Sequence, residues 1–216
     1  MISGESAEFG EDSAETLELF ELPVVPPANN SIVSRALASD EKTVVRVLAG
    51  KTGELRQLVE RYQRPVFRFV RNLIRDEHDA EDITQDVFLS AFDNLATFDA
   101  RRASLLTWLF TIARNRCMNY LKRKRPVIDG EVTSSPQPAA SSEESARNEF
   151  WSRLDEALDE LPVEQKTAFV LAEIENLPYA DIAHIEQTTL GTIKSRIHRA
   201  KQRLRAVMAP TLGEQL

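Results

Sequence analysis

The sequence predicts an all-α protein of two small helical domains, a three- or four-helix domain followed by a helix-turn-helix domain, joined by a flexible linker. Three observations lead there. Apolar residues recur at steps of three and four over long stretches, the signature of helices with one buried face. Only 7 of the 216 residues are glycine and 28% are charged, a composition that suits a helix-rich globular protein. A Pro-, Ser- and Ala-rich interval without periodicity divides the two periodic blocks.

Taken in order, residues 1–50 read as an acidic, flexible extension. It carries Glu5, Glu8, Glu11, Asp12, Glu15, Glu18 and Glu21 with no basic residue before Arg35, and such one-sign segments repel themselves. Residues 51–125 form the first domain. Leu55, Leu58, Val59, Tyr62, Val66, Phe69, Val70 and Leu73 share one helical face. Pro65 is expected to kink this helix or start a second one, because proline lacks an amide proton and clashes with the preceding turn. Asp79 is the expected N-cap of the next helix, with Ala80, Ile83, Val87, Phe88, Ala91, Phe92 and Leu95 inward and an acidic outer face. A third helix runs from about Ser104 to Lys124, with Leu105, Leu109, Ile112, Ala113, Cys117 and Tyr120 inward and its basic residues outward.

Residues 126–147 read as an extended acidic linker. Residues 148–210 form the second domain. Trp151, Leu154, Ala157, Leu158 and Leu161, then Phe169, Val170, Leu171 and Ile174, give two helices separated near Pro162. Tyr179 to Glu186 is a short helix, Gln187 to Thr189 a polar break, and Leu190 to Met208 a longer helix with Ile193, Ile197, Ala200, Leu204 and Val207 as its apolar stripe. Short helix, tight turn and longer basic helix form a helix-turn-helix.

The net charge of -7 argues against a nucleic-acid partner only on average. The stretch from Arg101 to Arg125 contains eight basic residues and no acid, and Ile193 to Arg205 contains six and no acid, so two cationic patches sit on an acidic chain. Apolar runs fall well short of the roughly 20 residues that span a bilayer, and the acidic N-terminus lacks the features of a secretory signal, so a cytoplasmic location is expected. A single cysteine, Cys117, excludes an internal disulfide and reads as a core residue. The acidic cluster Asp76, Glu77, Asp79, Glu81, Asp82 and Asp86 is spread around a helix start, the three histidines are isolated, and no phosphate loop or nucleophile motif is present. No enzyme, cofactor or metal is expected.

The last helix carries the clearest chemistry. Lys194, Ser195, His198, Lys201 and Arg205 share a face suited to base edges, with Arg196, Arg199 and Arg203 flanking it toward phosphates. Gly191 and Thr192 near its start allow close backbone approach. A solvated basic helix is the competing reading. In the first domain Trp108, Arg114, Asn115 and Asn119 precede the run Lys122 to Arg125, and aromatic plus cationic groups on one helix suit unstacked single-stranded DNA. Trp108 as an ordinary core aromatic competes with that.

Three segments carry a family resemblance. Asp79-Ala80-Glu81-Asp82-Ile83-Thr84-Gln85-Asp86-Val87-Phe88-Leu89 resembles the region 2 helix of the extracytoplasmic-function sigma factors. Trp108-Leu109-Phe110-Thr111-Ile112-Ala113-Arg114-Asn115 resembles the segment that follows it, and Leu190 to Lys201 resembles the region 4 recognition helix. The resemblance implies a transcription initiation factor without enzymatic activity. Its first domain would bind the clamp of core RNA polymerase through Asp79, Glu81, Asp82, Gln85, Asp86 and Phe88. It would open and read the -10 element through the loop Asn94 to Ser104 and Arg101, Arg102, Trp108, Arg114, Asn115, Asn119, Lys122 and Arg123. The second domain, facing the polymerase flap, would read the -35 element through Thr192, Lys194, Ser195, Arg196, His198, Arg199, Lys201 and Arg203. Promoter DNA, core polymerase and an anti-sigma factor are the implied partners. A dimeric helix-turn-helix regulator acting without polymerase is the alternative. The chain departs from the family at the turn, where Glu186 and Gln187 stand in place of a hydrophobic residue and glycine, so a strained or reshaped turn is expected.

Overall fold

A computed structural model describes residues 40–124 and 152–213; the acidic residues before 40 and the linker at 126–147 lie outside the described residues. Helices and no strand occur among them. Helix α1 (40–48) falls inside the segment expected to be a flexible extension. It is docked instead. The Asp40 carboxylate is buried and accepts hydrogen bonds from the Tyr62 hydroxyl and the Arg61 guanidinium, and Val44 enters the core. Burial and the neighbouring Asp40 charge together push the Tyr62 hydroxyl pKa well above its ordinary value.

Helix α2 (Leu55–Leu73) runs unbroken through Pro65, contrary to the expected kink or new start. Val66, Phe69 and Val70, the next inward residues, are fully buried, and Phe69 meets Phe110 edge-on at 5.2 Å between ring centroids. Packing on both sides of the proline outweighs the one backbone hydrogen bond it forfeits. Helix α3 (Glu77–Asp93) is capped by Asp76, whose carboxylate accepts from the Asp79 amide at 2.9 Å, so the cap lies three residues before the expected one. Leu95 falls in a short 3-10 turn (Leu95–Thr97) beyond the helix. Helix α4 (Leu105–Lys124) begins at Ser104, whose hydroxyl accepts from the Thr107 amide at 3.0 Å. Helices α2, α3 and α4 pack mutually around Phe69, Phe110, Val87 and Ala113. Cys117 lies fully buried among them, its thiol pushed up to about 12 by burial.

The second half comprises α5 (152–159), α6 (Val163–Phe169), continued by a π turn (Val170–Ile174), α7 (Tyr179–Ile185) and α8 (Leu190–Gly213). The turn is marked by the Glu175 amide donating to the Val170 carbonyl at 3.0 Å. The buried stripe of α8 ends on Met208 rather than Val207, which is 46% exposed; the step of four from Leu204 keeps the stripe on one face. Ala200, Leu204 and Met208 form one core with Phe169 and with Leu154, Ala157, Leu158 and Leu161 of the α5 region. Leu171, Ile182, Ile185, Ile193 and Ile197 instead share a continuous apolar core with α2, α3 and α4. The two halves are therefore packed on one another, with α7 against α4.

Candidate nucleic-acid interface

Helix α8 owes its register to its apolar stripe, which leaves the remaining positions outward. Its start is fixed by Thr189, whose hydroxyl accepts from the Thr192 amide at 3.2 Å and pairs with the Thr192 hydroxyl at 2.9 Å. Thr192 is thereby committed to capping. Lys194, His198, Arg199 and Arg203 are exposed, the first two along one side of the helix's outer surface and the two arginines along the other. Ser195 is half-buried and donates to the Thr192 carbonyl at 2.9 Å. Lys201 pairs with Glu173 at 2.9 Å. Arg196 is turned inward, donating to Glu186 at 2.8 Å. The eight residues assigned to this helix thus divide into an exposed set and a set engaged in holding the helix in place.

The first half divides in the same way. Asn115, Asn119, Lys122 and Arg123 are exposed at the C-terminal half of α4, where the helix carbonyl end favours cations. Arg101 and Arg102 are exposed on the loop before α4, and Arg101 grips Asp99 through two bonds of 2.9 and 2.8 Å. That pair, with the Arg101 amide, holds the Asp99 carboxyl down at about 2. Trp108 is half-buried, its ring 5.6 Å from that of Phe98. Arg114, expected outward, is only 24% exposed and donates to Glu186 at 3.1 Å.

On α3, Glu81, Asp82, Gln85 and Asp86 are exposed, with Asp86 3.7 Å from Arg116. Asp79 reaches α4 instead, accepting from the Tyr120 hydroxyl and from Lys124 at 2.9 Å. The Tyr120 bond and then the Lys124 bond lower its pKa. Phe88 is not on the outer face: it is 7% exposed and packs with Phe92. The exposed apolar residue of that helix is Leu89, at 63%, which the sequence reading passed over although it lies on the acidic face.

Glu186, noted in the sequence only as an irregularity of the turn, is the residue most changed by the structure. It caps α7 and is buried, with a side chain 1% exposed between Arg114 of the first half and Arg196 of the second. The neighbouring Gln187 adopts the left-handed conformation, φ 52°, as a glycine position would. Its strain was legible from the missing glycine; the partners of Glu186 were not.

The matches to known proteins fall on these elements. The sigma-70 region 2 family model matches residues 58–127 and the sigma-70 region 4 model residues 151–204. The chain is 30% identical over 187 residues to the RNA polymerase sigma-H factor of Pseudomonas aeruginosa, spanning 81% of this chain and 96% of that protein. It is 28% identical over 177 residues to the ECF RNA polymerase sigma factor SigW of Bacillus subtilis, spanning 76% and 94%. Among solved structures, the sigma factor RpoE of Bartonella quintana, crystallised with the anti-sigma factor NepR, matches with a TM-score of 0.60 and 26% identity over 71% of this chain and 96% of that one.

Proposed function

Because the chain belongs to the extracytoplasmic-function group of the sigma-70 family, we propose that it directs core RNA polymerase to promoters by reading the -10 element with its first half and the -35 element with its second. The observation that carries this reading is the pairing, on one acidic chain, of two exposed cationic helix faces. One is Lys194, His198, Arg199 and Arg203 on α8; the other is Asn115, Asn119, Lys122 and Arg123 on α4. The exposed surface of α8 suits a duplex major groove, where lysine and arginine reach base acceptors and phosphates. Trp108, near the start of the same helix as the second set, packs against Phe98 of the loop that would receive a flipped base, where aromatic surfaces cover unstacked bases.

The polymerase-facing surface in this reading is the outer face of α3, with Glu81, Asp82, Gln85 and Asp86 around the exposed Leu89. Carboxylates around an apolar centre suit a basic, partly apolar surface on the clamp. Phe88 supports that face from within. Neither cationic patch alone is expected to hold a promoter well; polymerase tethers both, so that the second contact forms at high effective concentration. An anti-sigma factor is the expected inhibitory partner, a role supported by the complex in which the RpoE relative was crystallised.

Footprinting on a native promoter tests the division of labour. Chain plus core polymerase should protect both elements and render the -10 bases reactive to a single-strand probe, and the free chain should protect neither. Protection of a single operator by the free chain would contradict the proposal.

A further inference from the structure

We propose that Glu186 is an intramolecular latch that holds the free chain closed, its one carboxylate occupying a guanidinium from each half. The inference rests on the promoter reading above only for its purpose; the closed state itself is read from geometry. Glu186 Oε1 accepts from Arg114 Nε at 3.1 Å and Oε2 accepts from Arg196 Nη1 at 2.8 Å. Each oxygen takes one arginine, so the carboxylate engages both cations as a backbone phosphate would. Glu186 is nearly inaccessible, whereas both arginines are 24% exposed; on separation the arginines would turn outward and the acid would be hydrated.

The latch does not act alone. Arg68 of α2 grips Glu175 through two bonds of 2.6 and 2.7 Å, and Arg75 bonds Asp159. Together with the shared apolar core they make a closed arrangement in which α7 lies on α4, the helix assigned to the -10 element.

That arrangement cannot serve both elements at once. Centres about 25 base pairs apart lie roughly 85 Å apart at about 3.4 Å per base pair. A packed body of about 150 residues has a radius of gyration of only about 15 Å. The 27 residues from 125 to 151 can span up to about 90 Å when extended, so the chain is long enough to open. Opening requires breaking the Glu186–Arg114 bond along with the Arg68–Glu175 and Arg75–Asp159 pairs, and Glu186 alone among these acids also holds a guanidinium of the second half.

The test uses the full chain with Leu89→Cys and Val207→Cys, both exposed positions on opposite halves, labelled with a donor and an acceptor dye; buried Cys117 is spared. Glu186→Gln should shift the closed-to-open ratio by about 5- to 150-fold, the usual range for coupling between sites, and lower energy transfer in the absence of polymerase and DNA. Arg114→Gln, which leaves the turn untouched, should do the same and keeps the test decisive if Glu186→Gln does not fold. Unchanged transfer in a folded Glu186→Gln chain, or in Arg114→Gln where the former is unfolded, would overturn the latch. Because no polymerase is present, that failure is distinct from a failure of the promoter reading, which would show as absent promoter-dependent transcription in the unsubstituted chain.

Discussion

Arg196 and Arg199 stand one helical turn apart on the same basic helix, yet their surroundings assign them different work. Arg196→Ala removes one of the two partners of a buried carboxylate. A hydrogen bond to a charged group contributes about 1.5–3 kcal/mol, and the remaining Arg114 bond with the partial exposure of Arg196 keeps the expected loss near about 1–2 kcal/mol. At about 2–4 °C per kcal/mol for a chain of this size, the melting temperature should fall by about 2–8 °C. Arg199 is exposed, so Arg199→Ala should change stability by no more than about 0.5 kcal/mol. If it reads a base it costs about 1–3 kcal/mol of binding, a loss of roughly 5- to 150-fold. Thermal unfolding of the free chain and titration of holoenzyme onto a -35 duplex separate the two effects. The reasoning fails if Arg199→Ala lowers the melting temperature as far as Arg196→Ala while leaving the affinity for DNA unchanged.

Four further outcomes are expected. Phe88→Ala should destabilise the chain by about 3–5 kcal/mol in urea unfolding, whereas Leu89→Ala should leave stability nearly unchanged and weaken competition for core polymerase. Gln187→Gly should raise stability by about 0.5–1 kcal/mol, because glycine enters the left-handed turn without the steric cost that glutamine bears. Burial raises the Glu175 carboxyl above its ordinary 4.5, against the smaller opposing effect of Arg68. Its contribution to stability is then fully present below that ordinary value and is lost as pH rises through the raised one, so Glu175→Gln should flatten the pH dependence of the urea midpoint across that window. Cys117 should resist alkylation at mildly alkaline pH in the native chain and react at the rate of unfolding, as mass spectrometry can follow.

Much of the fold was legible because it is local. Helices α3, α4 and α8 follow from apolar residues three and four apart, and the helix-turn-helix from a polar break between two such runs. The errors have physical sources. A proline in isolation breaks a helix, but Pro65 sits between residues whose burial holds α2 straight. Asp40 falls in the segment that reads as a flexible extension; only the fold shows that Tyr62 and Arg61 receive it. Asp76 and Asp79 are both plausible caps, and hydrogen-bond geometry alone distinguishes them. Phe88 reads as inward and is buried, whereas the exposed Leu89 beside it carries no charge that would mark it in the sequence as part of the outer surface.

The candidate site was legible in composition and less so in deployment. Two cationic helices on an acidic chain are visible in the sequence, but a helix pattern gives each basic residue only an angle, not a partner. Arg114, Arg196 and Lys201 are held by Glu186 and Glu173, contacts whose relevance depends on tertiary packing. Arg114 in particular is paired 72 positions away, across the boundary between the two periodic blocks. The departure at Glu186 and Gln187 marked the right place for an incomplete reason, since the turn geometry was foreseeable and the bridging of two arginines was not.

The central claim is that this chain confers promoter selectivity on core polymerase through its two halves together. Multi-round transcription with purified core polymerase, the unsubstituted chain and a promoter library measures it directly. Initiation is expected from a subset of templates sharing paired -35 and -10 sequences, with selectivity at the -35 element lost in Lys194→Ala/Arg199→Ala. Initiation no different from core polymerase alone, or selectivity indifferent to those two side chains, would contradict it.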